Sequence, residues 1–287
     1  FAYGKDLAQL SAVDFARAAE RDSDAFCRQG FGALLAGRAA GLAIQHSTPA
    51  QFIEVDRGVA VRTPSGTINA RTAIVTVSTN VLAAGRIRFA PELPQRVNEA
   101  FHSLSLGSYD HVALELAGNP LGLDSDDLVF EKSTDARTTA ILGNVSGTAL
   151  CLIEVAGSFG QQLSAQGEVA MVDFAGDWLT KHFGGSVRKA IRRASATRWN
   201  ADVFALGAMS AAMPGGHGAR AVLAQPVREA IWFAGEAVHE TLWGTVGGAW
   251  ESGERAADAV LRRLAGQREP EAEERRPKRK RRVRRRY

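Results

Sequence analysis

The sequence predicts a mixed α/β fold, and three stretches carry that prediction. The first is Ile231–Ala257. It reads as a short apolar strand, Gly235, a polar loop, and a helix that opens on Gly244-Thr245-Val246-Gly247-Gly248 and continues to about Leu264. In the second, Val59–Arg62 and Thr67–Arg71 flank Pro64-Ser65-Gly66, the pattern of a β-hairpin. In the third, His111–Leu116 alternates as a half-buried strand, and Gln161–His182 follows as one long amphipathic helix ending near Gly184-Gly185.

The remaining elements follow from the same periodicities. Residues 6–20 and 32–40 read as helical. Pro94 opens a helix to about Leu104, and Thr139–Val145 and Ala149–Val155 add strands. No internal repeat is evident.

The chain of 287 residues is long enough for one large or two moderate domains with real cores. It has no apolar run that would span a bilayer and no signal peptide at its start, and the expectation is a cytoplasmic protein. The two cysteines, Cys27 and Cys151, do not make a disulfide framework. The six histidines lack zinc-ligand spacing, so no metal is expected, and no Gly-x-Ser-x-Gly elbow occurs.

Charge is unevenly placed. Residues 268–287 hold eleven Lys or Arg against four Glu, a net of +7, so with +4 for the whole chain the remainder is −3. This run is expected to be disordered. It could bind nucleic acid or an anionic membrane surface, or be a bare solvated extension. The expectation is a non-specific tail without a dedicated nucleic-acid site.

Gly235 lets a backbone approach a ligand closely, and the first amides of a helix opening at Gly244–Gly248 suit an anion or an electron-rich ring. This region resembles the C-terminal signature of the flavin-containing amine oxidase family, which includes monoamine, polyamine and L-amino-acid oxidases and the flavin-dependent histone demethylases. The matching residues are Phe233–Glu236, Thr245–Ala249 and Ser252–Ala257. Further matches follow in family order: Gly30–Leu35, Thr48–Ile53, Ala70–Val77 as the family's apolar strand with Ser78 where proline is usual, Phe89–Pro94, Arg198-Trp199, and Gly207–Gly215. Together they cover about residues 1–265.

The resemblance implies a Rossmann-like FAD-binding domain assembled from separated pieces of chain, with a substrate domain of mixed sheet and helices inserted between them. Residues 1–90 would supply a helical segment and the second part of the FAD domain, and 91–195 the substrate domain. Residues 196–265 would return to the FAD domain with its flavin-facing helix, and 266–287 form the basic tail. The family's opening strand–Gly-x-Gly-x-x-Gly–helix, which cradles the pyrophosphate, occurs nowhere in the sequence. The expectation is the later part of a longer protein, completed by an N-terminal segment or a partner chain.

By the same resemblance the cofactor is FAD, with Ala50, Thr76, Trp199, Gly235, Glu236, Gly244, Thr245 and Val246 around it. The implied reaction passes a hydride equivalent from an amine α-carbon to flavin N5. The imine is then hydrolysed, and O2 is reduced to H2O2. His111 occupies the position of the family's lysine, which holds a water at N5, and histidine can bind water or shuttle a proton there. A histidine that merely completes the sheet is an equal alternative.

The positions aligned with the family's aromatic cage are Met209 and Thr245, which leaves Trp243 or Trp250 to supply one ring, and the alternative for either is a plain core residue. Ser78 is expected only to loosen the strand exit. No arginine marks a substrate carboxylate and no acidic cluster marks a polyamine, so the amine is not identified. The reading from another class is a non-catalytic descendant acting as a binding or structural subunit.

Overall fold

The computed structural model describes residues 3–19 and 26–267. All of the tail from residue 268 onward therefore lies outside the described residues.

The N-terminal stretch expected as one helix is broken. A 3-10 turn, Leu7–Gln9, precedes helix α1, Ala12–Arg17. Ser11 makes the break: it is extended and its hydroxyl accepts from Asp14 N–H, an N-cap. Helix α2 is Phe31–Arg38.

Strands β1 (Phe52–Val55), β2 (Val59–Thr63) and β3 (Gly66–Ala70) form a meander, with β2 and β3 joined through Pro64-Ser65 as expected. Strand β4 covers only Ala73–Val75, because Ala70 is still paired in β3 and the chain turns at Arg71. Helix α3 (Thr79–Ala83), strand β5 (Arg88–Ala90) and helix α4 (Gln95–Ser103) follow. β5 adds parallel to β1, giving the order β3-β2-β1-β5.

A second sheet has the order β10-β6-β9-β8-β7. Its strands are β6 (Tyr109–Leu116), β7 (Leu128–Phe130), β8 (Ala140–Leu142), β9 (Leu150–Ala156) and β10 (Ile191–Ala196). β8 stops earlier than expected, because Asn144 turns the chain in a left-handed conformation at φ 48°. Helices α5 (Gly157–Gln166), α6 (Glu168–Phe183) and α7 (Ser186–Ala190) connect β9 to β10. The expected single helix over Gln161–His182 is two helices. Gly167, at φ 101°, leaves the right-handed region between them, and the apolar spacing on either side hides this break in the sequence.

After helix α8 (Ala219–Leu223), strand β11 (Ile231–Phe233) pairs parallel with β4, Phe233 opposite Val75. Helix α9, Val246–Leu264, completes the described chain. Gly244 and Thr245 precede this helix, with Thr245 as its N-cap.

Two cores result. One joins Ile53, Val75, Leu82, Val97, Phe101, Leu104, Leu223, Ile231 and Phe233. The other joins Val112, Leu114, Ile153, Val155, Met171, Phe174 and Leu179 under the five-stranded sheet. The expected boundary at residue 91 does not coincide with this divide, since α4 packs into the first core through Val97, Ala100 and Phe101.

Gly248 fixes the start of α9 against the loop before it. A Cβ there would stand 2.1 Å from the Leu242 carbonyl oxygen, a backbone atom with little freedom to yield. Gly248→Ala is expected to lower stability by about 1–3 kcal/mol. Chemical denaturation checks this, and an unchanged midpoint would show that the loop yields.

Candidate functional site

The parallel pairing of β4 and β11 sets two chain exits side by side, Val75-Thr76 and Phe233-Ala234-Gly235, with Ala234 N–H donating to Val75 O at 3.1 Å. A cavity of about 240 Å³ opens there, lined by Thr76, Ser78, Ala234, Gly235, Glu236 and Ala249 among others. Thr76, Gly235 and Glu236 are thus brought together. A Cβ at Gly235 would meet nothing within 4 Å except Thr76 O, at 3.8 Å.

Ser252, buried in α9, ties this turn to the helix. Its Oγ accepts from Gly235 N–H at 2.8 Å and donates to the Gly235 or Ala249 carbonyl. At the head of α9, Thr245 Oγ1 accepts from Gly248 N–H at 2.9 Å and donates to Leu242 O at 2.6 Å. The Thr245 hydroxyl is therefore committed to the cap. By helix geometry, the amides of Val246 and Gly247 have no intrahelical acceptor and face outward with the positive end of the dipole.

Glu236 is bound within the protein. Its carboxylate accepts from Ser210 N–H (2.8 Å), Ser210 Oγ–H (2.8 Å) and Gly244 N–H (2.6 Å). The side chain thus locks the turns at 210 and 244, and the Gly244 amide is committed to it. Behind Ser210 lies Arg220, 1% exposed. Arg220 Nη1 donates to Ser210 Oγ at 3.1 Å and to Ala237 O at 3.0 Å, and Nη2 donates to Asp14 Oδ2 at 2.8 Å. Its guanidinium also lies 4.6 Å from the Trp243 ring centroid.

Trp243 takes the core alternative. Its ring is 2% exposed and packs on Tyr3 and Arg220, so it fills the interior behind the site and presents no aromatic face to a substrate. Trp250, the other candidate ring, is 48% exposed on α9 and lies beneath the Arg38 guanidinium. Met209 is half-buried, and its carbonyl accepts from Gly107 N–H, which holds the 106–108 turn against the 207–215 loop. Ala50 precedes β1, packs on the first core and is not among the residues lining the Thr76–Gly235 cavity.

Trp199 stays 45% exposed, and its amide is anchored by Asp110 at 2.9 Å. Asp110, fully buried, also accepts from Thr197 Oγ–H and from Asn200 Nδ2–H. Ser78 does not loosen its strand exit. It caps α3 by accepting from Val81 N–H, and donates to Ala205 O at 2.6 Å.

His111 lies on the face of β6 opposite the second core, in register with Glu154 of β9. Its ring meets Tyr109 edge-on at 5.1 Å. Burial lowers the imidazole pKa below its usual value, against the opposing pull of Glu154 and Asp110, so the neutral ring predominates near neutral pH. Burial first, then the Glu154 carboxylate, pushes the Tyr109 phenol far up. His111 does not line the Thr76–Gly235 cavity.

Sequence reading missed Asp14, Ser210 and Arg220. A polar residue at an inward position is the signal that finds Asp110, because a buried carboxylate requires donors. The Asp14–Arg220 pair carries no such signal at a separation of 206 residues.

A family model described as flavin containing amine oxidoreductase matches residues 10–261. Polyamine oxidase 4 of Oryza sativa subsp. japonica is 29% identical over 72% of this chain and 42% of that protein. Lysine-specific histone demethylase 1 homolog 1 of Arabidopsis thaliana is 31% identical over 71% of this chain and 25% of that protein. Cyclohexylamine oxidase from Brevibacterium oxydans superposes with a TM-score of 0.62 at 25% identity, covering 76% of this chain and 48% of that one. The chain spans about half or less of these relatives' lengths.

Proposed function

Because the chain belongs to the flavin-containing amine oxidoreductase family, we propose that it carries part of the site of an FAD-dependent amine oxidase, Thr76, Gly235 and the head of α9 lying toward the cofactor. One observation carries this reading. The Thr76–Gly235–Glu236 cavity adjoins the head of a 19-residue helix whose first amides lack partners within the helix. These residues fit one portion of a dinucleotide: a glycine turn without a Cβ, and amides suited to a ring edge that gains negative charge.

Bound flavin supplies the acceptor for a hydride equivalent from the amine α-carbon. The chain's own residues do the rest. The Val246 and Gly247 amides stabilise negative charge at the head of α9. Ser252 and Glu236 keep the facing turns from moving. Neutral His111 can hold a water or take a proton from an ammonium substrate. The imine would then be hydrolysed to a carbonyl product, with O2 as terminal acceptor and H2O2 formed. The substrate proposed is a small-molecule amine, consistent with the amines named for the relatives.

The test is spectroscopic. The complete protein should show the visible flavin band, and primary amines added without oxygen should bleach it. A colourless protein that takes up no FAD would favour the reading as a non-catalytic subunit. Val246→Pro gives a sharper check. Proline is tolerated in a helix's first turn but removes that amide. Flavin reduction by amine is expected to slow roughly ten- to hundredfold, the scale of one hydrogen bond to a charged group. Unchanged reduction kinetics would place this amide away from the ring.

A further inference from the structure

A second cavity, about 590 Å³, lies between the N-terminal segment, the Leu106–Ser108 turn, the start of α5 and the 213–214 loop. Its wall carries Lys5, Ser105, Ser108, Ser158, Asn200 and His102, and no Asp or Glu is among the residues lining it. Leu106 lines both this cavity and the one holding Thr76 and Gly235, so the two spaces adjoin.

Lys5 Nζ donates to Ser105 Oγ at 2.8 Å and to Ala211 O at 2.9 Å. An ammonium has three donors. The third finds no acceptor among the described residues. The neighbouring carboxylate, Asp6, is turned onto α5, where it accepts from Ser158 N–H at 3.1 Å. Asn200 is likewise committed to Ser108 Oγ and Asp110. Lys5 is therefore the fixed charge facing this space, and its donor is not cancelled.

We propose that the Lys5 cavity holds the carboxylate of the substrate, making the preferred amine one with an acidic far end and excluding diamines. The proposal rests on reading the protein as an amine oxidase. A carboxylate would complete the ammonium's coordination with a charge-assisted hydrogen bond, whereas a second substrate ammonium would be repelled by Lys5, with the neighbouring carboxylate, Asp6, already held by the Ser158 amide. Burial, and then the nearby Arg220 charge, lowers the Lys5 pKa to about 8, so the group remains mostly protonated at neutral pH.

The experiment is calorimetric titration of the complete protein with aminocaproate, hexylamine and hexamethylenediamine, using wild type, Lys5→Met and Lys5→Arg. Flavin content is recorded separately by absorbance, so loss of cofactor is distinguished from loss of carboxylate recognition. Wild type and Lys5→Arg should bind aminocaproate at least tenfold more tightly than the diamine, and Lys5→Met should lose that preference. Should Lys5→Met also lower the melting temperature, the pH series on wild type decides. Aminocaproate affinity should fall as pH rises from about 7.5 to about 9.5, as Lys5 loses its proton. Other charged or titratable groups near Lys5 are Arg220 with its partner Asp14, Asp6 and His102. Equal or tighter diamine binding, a flat pH series, or no binding of any of the three would overturn the proposal.

Discussion

Asp14→Ala is expected to destabilise the protein by about 3–5 kcal/mol. Asp14 and Arg220 side chains are each 2% exposed, with Nη2 and Oδ2 2.8 Å apart. Removing the carboxylate leaves a guanidinium in the interior with Ser210, Ala237 O and the Trp243 face as partners but no anion. The damage should spread by a defined route. Arg220 holds Ser210, Ser210 holds Glu236, and Glu236 holds Gly244 two residues before α9. Denaturation by urea measures the loss. The double variant Asp14→Ala/Arg220→Met should cost less than the sum of the single changes, because no unpaired charge remains. A loss below about 1 kcal/mol for Asp14→Ala would show that water or another group satisfies Arg220.

That network marks the limit of what the sequence discloses. The hairpin at 59–70 was legible because Pro64-Ser65-Gly66 is local turn chemistry between two apolar runs. The β11–Gly235–α9 segment was legible because each step rests on neighbours in sequence. The break at Gly167 was not, since the apolar spacing runs on either side of it. β10 was missed as well: its Ile-Arg-Arg-Ala-Ser-Ala run is largely exposed and gives no apolar alternation. At the site, backbone roles were visible and side-chain roles were not. Glycines and helix starts announce where amides point. Whether a glutamate reaches outward or is taken by Ser210 and Gly244 depends on parts of the chain brought close only by the fold. The same holds for Trp243: the sequence leaves it open between a substrate ring and a core residue, and its packing on Tyr3 and Arg220 decides for core.

His111→Ala is expected to slow amine oxidation by about a hundredfold in the complete protein while leaving FAD bound, the scale of one positioned acid–base group. The ring stands on the face of the sheet away from the second core, so its removal opens no cavity among Val112, Leu114 and Ile153. His111→Lys should restore activity. Glu154 lies opposite in register, so the new ammonium gains a carboxylate partner and does not stand as a lone buried charge. The pH dependence follows from the lowered pKa of His111. A group whose folded pKa lies below its unfolded value leaves the folded protein most stable above about pH 6.5, and that contribution is lost as pH falls through the folded value. A rate that needs the neutral ring should fall over the same acidic range in wild type, and this limb should disappear in His111→Ala. Rapid-mixing measurement of flavin reduction and of reoxidation, beside the melting temperature of each variant, separates catalysis from packing. Should alanine lower the melting temperature while both half-reactions keep their rates per bound flavin, His111 is a sheet residue. The water or proton would then have to be held by another group on the same face, where Tyr109 and Glu154 are its immediate neighbours.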